Sequence, residues 1–281
     1  MRLRSVGLLL IAGVSTQFGA AFATTLFDRT GPAGTVFLRL LLAALVLLLL
    51  FRPVLRGRTR AQLRSVALLG LALAVMNFGW YQALARQPIG PTVTLEFLGP
   101  LAVAVWGSRQ PRDFVWILLA AAGVALLGGG GSLTPAGVAF TLLAACAWAS
   151  YILLATRVGR DWDQATGLAA AMVVGALVVA PVGIADGGSE LLAPGLLVAA
   201  LAVALASSVV PYTLEMFALR EIPQHVFGVL MSLEPAIGCL AGLVVLGQGL
   251  AATEVLAVGL VIAACAGATL GATRPQPAVP V

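Results

Sequence analysis

Residues 83–100 read ALARQPIGPTVTLEFLGP, and residues 218–235 read ALREIPQHVFGVLMSLEP. Both stretches begin with Ala-Leu, carry a proline at the sixth position and end in a proline, at an offset of 135 positions. Residues 7–18 align in the same way with residues 137–148, at an offset of 130. The chain is therefore predicted to use one unit twice, with the join near the glycine run at 128–131. The alternative is chance similarity between apolar helices.

The composition places both units in a membrane. Of 281 residues, 60% are hydrophobic and 10% are charged, and the mean hydropathy is +1.05, whereas an average soluble domain carries about 25% charged residues. This excludes a soluble enzyme, a disordered protein and a disulfide-stapled module. A membrane-spanning helix needs about 20 mostly apolar residues, and we expect ten such helices: 5–27, 33–51, 65–85, 91–107, 114–131, 136–156, 164–184, 195–217, 224–247 and 255–273.

The basic residues predict the orientation in the membrane. The chain has no lysine, and if the N-terminus is cytoplasmic, thirteen arginines fall in cytoplasmic segments and two, Arg29 and Arg86, on the opposite side. Because positive residues concentrate in cytoplasmic loops, both termini are predicted to be cytoplasmic. The net charge of +5 then sets orientation and does not indicate nucleic-acid binding. The first apolar run is read as an uncleaved helix and not a signal peptide, because nine more runs follow it.

An odd number of helices in each unit fixes how the two units relate. If the first unit enters from the cytoplasm and has five helices, the second must enter from outside. The fold class is therefore predicted as an all-α membrane protein with ten transmembrane helices in two inverted five-helix repeats, over residues 1–131 and 132–273, followed by a disordered cytoplasmic tail at 274–281. Inverted repeats are typical of secondary transporters, whose sites lie near the midplane between the halves.

Charged residues inside helices are the first candidates for a site, because each costs about 2.5–3.5 kcal/mol to insert into the membrane. Arg39 is about 9 Å deep in the second predicted helix, and Glu96 about 7.5 Å deep in the fourth, from the same side. One interpretation is a static ion pair between them. The other is a polar cavity in which Arg39 binds a carboxylate and Glu96 an ammonium, as a zwitterionic amino acid requires.

Glu234 lies about 15 Å into the ninth predicted helix, near the midplane. Pro235 follows it and removes a backbone hydrogen bond, and removal from water favours the neutral form of a carboxyl. Glu234 is therefore predicted as a proton-coupling residue, with a neutral glutamate hydrogen-bonded to a neighbouring helix as the alternative. Glu215 is expected at the cytoplasmic interface beside Arg220, and His225 is expected to be incidental.

Polar and aromatic residues within helices are expected to line the cavity or to join helices. The candidates are Gln17, Asn77, Trp80, Tyr81, Tyr151 and Tyr212. The sequence shows no metalloprotease, serine-hydrolase or Cys/His metal motif. We therefore expect no enzyme activity, no cofactor and no metal.

Several of these residues carry a family resemblance. Residues 89–104, IGPTVTLEFLGPLAVA, resemble the LEFxGPLAVA signature of the threonine/homoserine exporter branch of the EamA-type drug/metabolite transporter superfamily. Residues 232–235, SLEP, resemble the LEP of the ninth helix there, and Arg39 in FLRL resembles the common arginine of the second helix. The resemblance covers nearly the whole chain. It implies a cytoplasmic-membrane exporter of small metabolites, driven by proton exchange.

The predicted function is export of small amino acids such as threonine and homoserine by alternating access, from a multi-pass position in a bacterial inner membrane. Arg39, Glu96, Asn77, Tyr81 and Tyr212 are predicted to bind substrate. The expected partners are a small-molecule substrate, protons and the lipid bilayer, with no nucleic acid, and a homodimer is left open. The alternatives are export of a drug or other metabolite, and a passive facilitator or channel.

Overall fold

The computed structural model describes residues 3–108, 114–129, 133–162, 164–219 and 229–272. Within these ranges the regular secondary structure is helical, and no strand occurs. Nine segments are long and apolar enough to cross a membrane, and a tenth apolar helix, Phe114–Gly128, is shorter. This confirms the predicted all-helical membrane fold. The predicted tail at 274–281 and the predicted join at 131/132 lie outside the described residues, so the domain boundaries stay predictions.

The helices of the described ranges, in chain order, are α1 (Leu3–Thr24), α2 (Phe27–Phe51), α3 (Arg60–Leu84), α4 (Ile89–Glu96), α5 (Leu98–Ser108), α6 (Phe114–Gly129), α7 (Pro135–Asp161), α8 (Gln164–Gly187), α9 (Pro194–Ala204), α10 (Val210–Leu219), α11 (Glu234–Leu246) and α12 (Ala252–Ala272). A 3₁₀ turn at Gly188–Leu192 precedes α9, and a π turn at Leu205–Val209 joins α9 to α10. Helices α4 and α5 together form the fourth span, and α9, the π turn and α10 form the eighth.

Two helices begin five or six residues earlier than predicted. Helix α3 begins at Arg60 instead of 65, because Thr59 and Gln62 form a reciprocal capping box. Helix α2 begins at Phe27 instead of 33 and is kinked at Gly31, whose φ of 63° is a conformation that glycine readily adopts. Beyond the kink, the Asp186 carboxylate accepts a hydrogen bond from the backbone nitrogen of Ala33 at 2.8 Å and caps the new start.

Prolines explain why two predicted helices are interrupted. A proline has no N–H to donate to the carbonyl four residues earlier. Pro100 therefore leaves the carbonyl of Glu96 without an intrahelical donor, and the fourth span breaks at Phe97, between α4 and α5. Pro211 does the same for Ser207, within the π turn of the eighth span.

The packing of the spans follows the order that a two-fold relation between halves would produce. If span n corresponds to span n + 5, then α2 against α8 and α4 against α11 are contacts between equivalent spans, as is α6 against α12. The contact of α3 with α7 has its counterpart in that of α1 with α10. These contacts agree with the predicted repeat, while its inverted orientation stays a prediction.

Several polar side chains of the spans lie inside the bundle, and many large apolar side chains lie on its outer surface. Leu49, Trp106 and Leu118 are 73%, 86% and 67% exposed, as expected of side chains that face lipid. Arg39 and Glu234 are each 5% exposed, and Glu96 is 8% exposed. The ionisable groups that the sequence singles out are therefore turned away from lipid, as intramembrane charges must be.

Candidate functional site

An internal cavity of about 120 Å³ lies among the spans of both halves. A water occupies about 30 Å³ in the liquid, so the cavity has room for several waters or a small solute. Its described lining is polar and aromatic apart from one alanine and two methionines. The lining residues are Thr16, Gln17, Ala20, Arg39, Met76, Asn77, Trp80, Glu96, Trp148, Tyr151, Ser207, Tyr212, Glu215, Met231 and Glu234.

Arg39 reaches from α2 to the π turn of the eighth span. Its Nη2 donates to the backbone oxygen of Ser207 at 2.8 Å, and its Nε donates to Oγ of Ser208 at 3.1 Å. The Ser207 carbonyl can accept this bond because Pro211 supplies no helical donor. Hydrogen bonds to a charged group stabilise by about 1.5–3 kcal/mol each, so this contact ties two spans together through the site.

The neighbouring carbonyl of the π turn is also bound from another span. Val210 donates its backbone N–H to Leu205, five residues back, which leaves the carbonyl of Ala206 without its usual partner. Oγ of Ser15 on α1 donates to that oxygen at 2.5 Å. The close approach of α1 to the π turn depends on Gly19, because a Cβ at this position would lie 2.9 Å from the Ser207 side chain. The π turn is therefore held by α1 and α2 together.

Arg39 and Glu96 do not form the ion pair that the sequence left open. Both residues are described, and no nitrogen of Arg39 lies within 4.0 Å of a Glu96 oxygen. The guanidinium instead donates hydrogen bonds to neutral oxygens of Ser207 and Ser208 in the eighth span. Both residues line the same cavity, which agrees with the second interpretation.

Tyr81 contacts Arg39 from outside the lining of the cavity. It is fully buried and is not among the lining residues. Its hydroxyl accepts from Nη1 of Arg39 at 3.4 Å, and the Arg39 Cζ lies 5.4 Å from the centre of its ring. The structure thus places Tyr81 against Arg39 and outside the lining of the cavity, and its contact with substrate stays a prediction.

Glu96 is the last residue of α4 and enters the cavity at the break in the fourth span. It is 8% exposed, and its carboxyl has no hydrogen bond or ion pair with any described residue. A carboxyl buried without a partner costs free energy unless it binds a proton or a ligand. Its position therefore marks it as a group available to whatever occupies the cavity.

Glu234 begins α11 and is held by a neighbouring helix. Nε2 of Gln17 on α1 donates to Oε2 of Glu234 at 3.1 Å, and both side chains are buried. This is the interhelical hydrogen bond that the sequence left open as an alternative. The other amide atom, Oε1 of Gln17, is buried without a hydrogen-bond partner. Because both residues also line the cavity, the bond does not exclude a coupling role.

The remaining predicted residues divide between cavity and helix contacts. Asn77 lines the cavity, and its Nδ2 also donates to the backbone oxygen of Leu73 at 2.8 Å. Tyr212 lines the cavity from α10. Glu215, which was expected at the cytoplasmic interface, lines the cavity one turn from Tyr212. Arg220 and His225 lie outside the described residues.

The repeat spacing was a signal that could have found Glu215. Three pairs of lining residues, each with one member in the third or fourth span and one in the eighth or ninth, are separated by the repeat offset of 135. They are Asn77 with Tyr212, Trp80 with Glu215, and Glu96 with Met231. Equivalent positions of the two units thus face one cavity, and the position of Trp80 predicts that of Glu215.

Comparison with known proteins decides the family. A profile of the EamA-like transporter family matches residues 135–270. A threonine/homoserine exporter RhtA of Salmonella typhimurium strain SL1344 is 40% identical over 273 residues, which cover 95% of this chain and 92% of that protein. The chain belongs to the EamA-like transporter family. The RhtA of Escherichia coli K12, also named a threonine/homoserine exporter, is 39% identical over 267 residues, covering 94% and 90% of the two chains.

Membership of the EamA-like transporter family agrees with the fold. A crystal structure with 22% sequence identity superposes with a TM-score of 0.64 over 97% of this chain and 99% of that one. The chain is a multi-pass protein of a bacterial inner membrane, as its RhtA relatives and its apolar helices show. The EamA-like family and these relatives are named as transporters and exporters, not as enzymes.

Proposed function

We propose that this membrane exporter carries small zwitterionic amino acids, with threonine and homoserine as the first candidates, through the cavity between its halves. The relatives that carry threonine and homoserine in their names match the chain over nearly its full length. A cavity of about 120 Å³ also suits a solute of that size. A drug-sized ligand needs a larger pocket, of about 300–1,000 Å³.

The observation that carries the proposal is the pair of opposite charges that face one cavity without neutralising each other. Glu96 has no partner in the described part of the chain and is free to receive an ammonium group. Arg39 uses three of the five N–H groups of its guanidinium on the protein. The remaining two are available to a carboxylate. A zwitterionic amino acid supplies both complementary charges in one molecule.

Glu234 is the proposed coupling residue. Its carboxyl faces the same cavity and accepts one hydrogen bond, from Gln17. When substrate leaves towards the outside, a proton that enters from there neutralises Glu234 while the cavity returns inward. Release of that proton to the cytoplasm then prepares the cavity for the next substrate. Amino-acid export is driven in this scheme by proton entry.

The test is threonine transport by the purified protein in liposomes under an imposed pH gradient. Wild type is expected to move threonine against its gradient when protons flow the other way. Glu234→Gln is expected to retain exchange of labelled for unlabelled threonine and to lose the response to the pH gradient. Glu190→Gln is the matched control, because Glu190 is an exposed glutamate paired with Arg29.

Two results would contradict the proposal. Threonine flux in wild type that ignores the pH gradient would indicate a passive facilitator. An unchanged pH response in Glu234→Gln would remove Glu234 from the coupling step.

A further inference from the structure

The charges around the cavity are unequal. Among the residues that the structure describes, three carboxyls line it, those of Glu96, Glu215 and Glu234, against one basic side chain, Arg39. The Arg39 guanidinium already donates to three oxygens of Ser207, Ser208 and Tyr81. The protein therefore provides Arg39 with three hydrogen-bond acceptors. Among the three carboxyls, only Glu234 accepts a hydrogen bond from a described residue.

The uncharged part of the lining also favours a cation. Trp80, Trp148, Tyr151 and Tyr212 contribute four aromatic rings to the same cavity. Aromatic faces attract alkylammonium groups through the ring quadrupole, and the attraction is strongest where water is excluded. The partnerless carboxyl of Glu96, more than nine-tenths buried, faces the space beside these rings.

We propose that the cavity recognises its ligand by the ammonium group, so that small organic amines without a carboxylate bind there and are carried. This inference rests on the proposed function, since it assigns the dominant contact at the same site. The carboxylate of an amino acid meets an arginine that the protein has largely satisfied, and its loss is tolerated. Loss of the positive charge leaves Glu96 with nothing to bind.

The experiment compares three inhibitors of threonine exchange in liposomes. Threoninol keeps the amine and replaces the carboxylate by a hydroxymethyl group, while N-acetylthreonine keeps the carboxylate and loses the positive charge. Threoninol is expected to inhibit at a concentration within about ten-fold of threonine itself, a difference of at most about 1.4 kcal/mol. N-acetylthreonine is expected to be at least about a hundred-fold weaker than threoninol. Equal or stronger inhibition by N-acetylthreonine would overturn the inference.

A second measurement tests how far binding depends on the positive charge of the ligand and on its contact with the aromatic rings of the cavity. Tetramethylammonium has no N–H and binds only through its charge and its contact with aromatic faces. It is expected to inhibit threonine exchange where potassium chloride at the same concentration does not. Glu96→Gln is expected to weaken this inhibition about ten-fold or more, an effect of about 1.4 kcal/mol, and Glu190→Gln is expected to leave it as in wild type. The inference is wrong if tetramethylammonium and potassium act alike.

Labelled tetramethylammonium separates this inference from the function on which it rests. Flux of tetramethylammonium in a preparation that carries no threonine would contradict the proposed function and support recognition of amines. Threonine flux without flux of tetramethylammonium and without inhibition by threoninol would contradict recognition of amines and leave the proposed function standing.

Discussion

Nη2 of Arg39 donates to the backbone oxygen of Ser207 at 2.8 Å, across the boundary between the second and eighth spans. That oxygen is free because residue 211 is a proline and has no N–H for the helical bond. The contact joins a charged side chain of the first half to a broken helix of the second half. It also lies in the wall of the cavity, where a bound ligand meets both partners.

Arg39→Lys is expected to lower both the melting temperature and the rate of threonine transport. A lysine is a single point charge and cannot serve three separated acceptors as the planar guanidinium does. The loss of one or two hydrogen bonds to a charged group costs about 1.5–3 kcal/mol each. Thermal unfolding in detergent and threonine exchange in liposomes measure the two effects. The control is Arg29→Lys, at an exposed ion pair, and equal melting temperatures in the two variants would contradict the account.

Pro211→Ala is expected to lower threonine transport without lowering the stability of the protein. Alanine restores the N–H that the Ser207 carbonyl lacks and removes a residue that costs about 3 kcal/mol inside a helix. The melting temperature should therefore stay the same or rise, while threonine exchange falls because Arg39 loses its acceptor. Hydrogen exchange at residues 207–211 reports the straightened helix. A lower melting temperature with transport unchanged would show that the free carbonyl has no part in the site.

Gln17→Leu is expected to shift the pH dependence of transport upward. The amide of Gln17 donates to Glu234 and so stabilises the ionised carboxylate. Without that donor the carboxyl keeps its proton to a higher pH, and the proton-driven flux should decline at a higher pH than in wild type. Initial rates of threonine transport across a pH series measure the shift.

The control for this shift is Gln87→Leu. Gln87 is 6% exposed, against 4% for Gln17, it also donates through Nε2 to a side-chain oxygen, that of Thr141, and its Oε1 is likewise without a partner. It does not line the cavity. The two variants should lose similar stability, while only Gln17→Leu changes the pH profile. A shared shift would assign the effect to packing.

Gly19→Ala is expected to loosen the contact between α1 and the π turn. An added Cβ would lie 2.9 Å from Cβ of Ser207 and 3.0 Å from its backbone nitrogen, so the helices must move apart. Strain of this kind costs about 1–3 kcal/mol, and both the melting temperature and threonine exchange should fall. Gly7→Ala is the control, because nothing lies within 4 Å of a Cβ there. A control variant that is equally damaged would refute the close-contact explanation.

Local sequence patterns were sufficient for some parts of the site and not for others. Apolar length predicts the spans, and the insertion cost of a charge predicts that Arg39, Glu96 and Glu234 turn inward. The partner of Arg39 was not predictable in this way. It is a backbone oxygen 168 positions away, freed by a proline in a different span, and depth alone suggested Glu96 instead.

Two further differences have the same origin in contacts between distant segments. Tyr81 resembles a cavity residue in the sequence, yet its ring lies behind Arg39, where it supports the guanidinium. Asp186 falls between the predicted helices 164–184 and 195–217, yet it caps α2 at Ala33. In both cases the role depends on which helix packs alongside, and single-helix patterns do not contain that information.

We propose that the transported amino acid occupies the cavity between the halves, and protection of a cavity cysteine tests this position most directly. Ala20 lines the cavity, whereas Ala61 is exposed at the start of α3. With the native Cys146, Cys239 and Cys265 replaced, Ala20→Cys and Ala61→Cys are each labelled with a small maleimide in liposomes. Threonine is expected to slow labelling at position 20 in proportion to its occupancy and to leave position 61 unchanged. Labelling at position 20 that is indifferent to saturating threonine, in a protein that still transports it, would contradict the account.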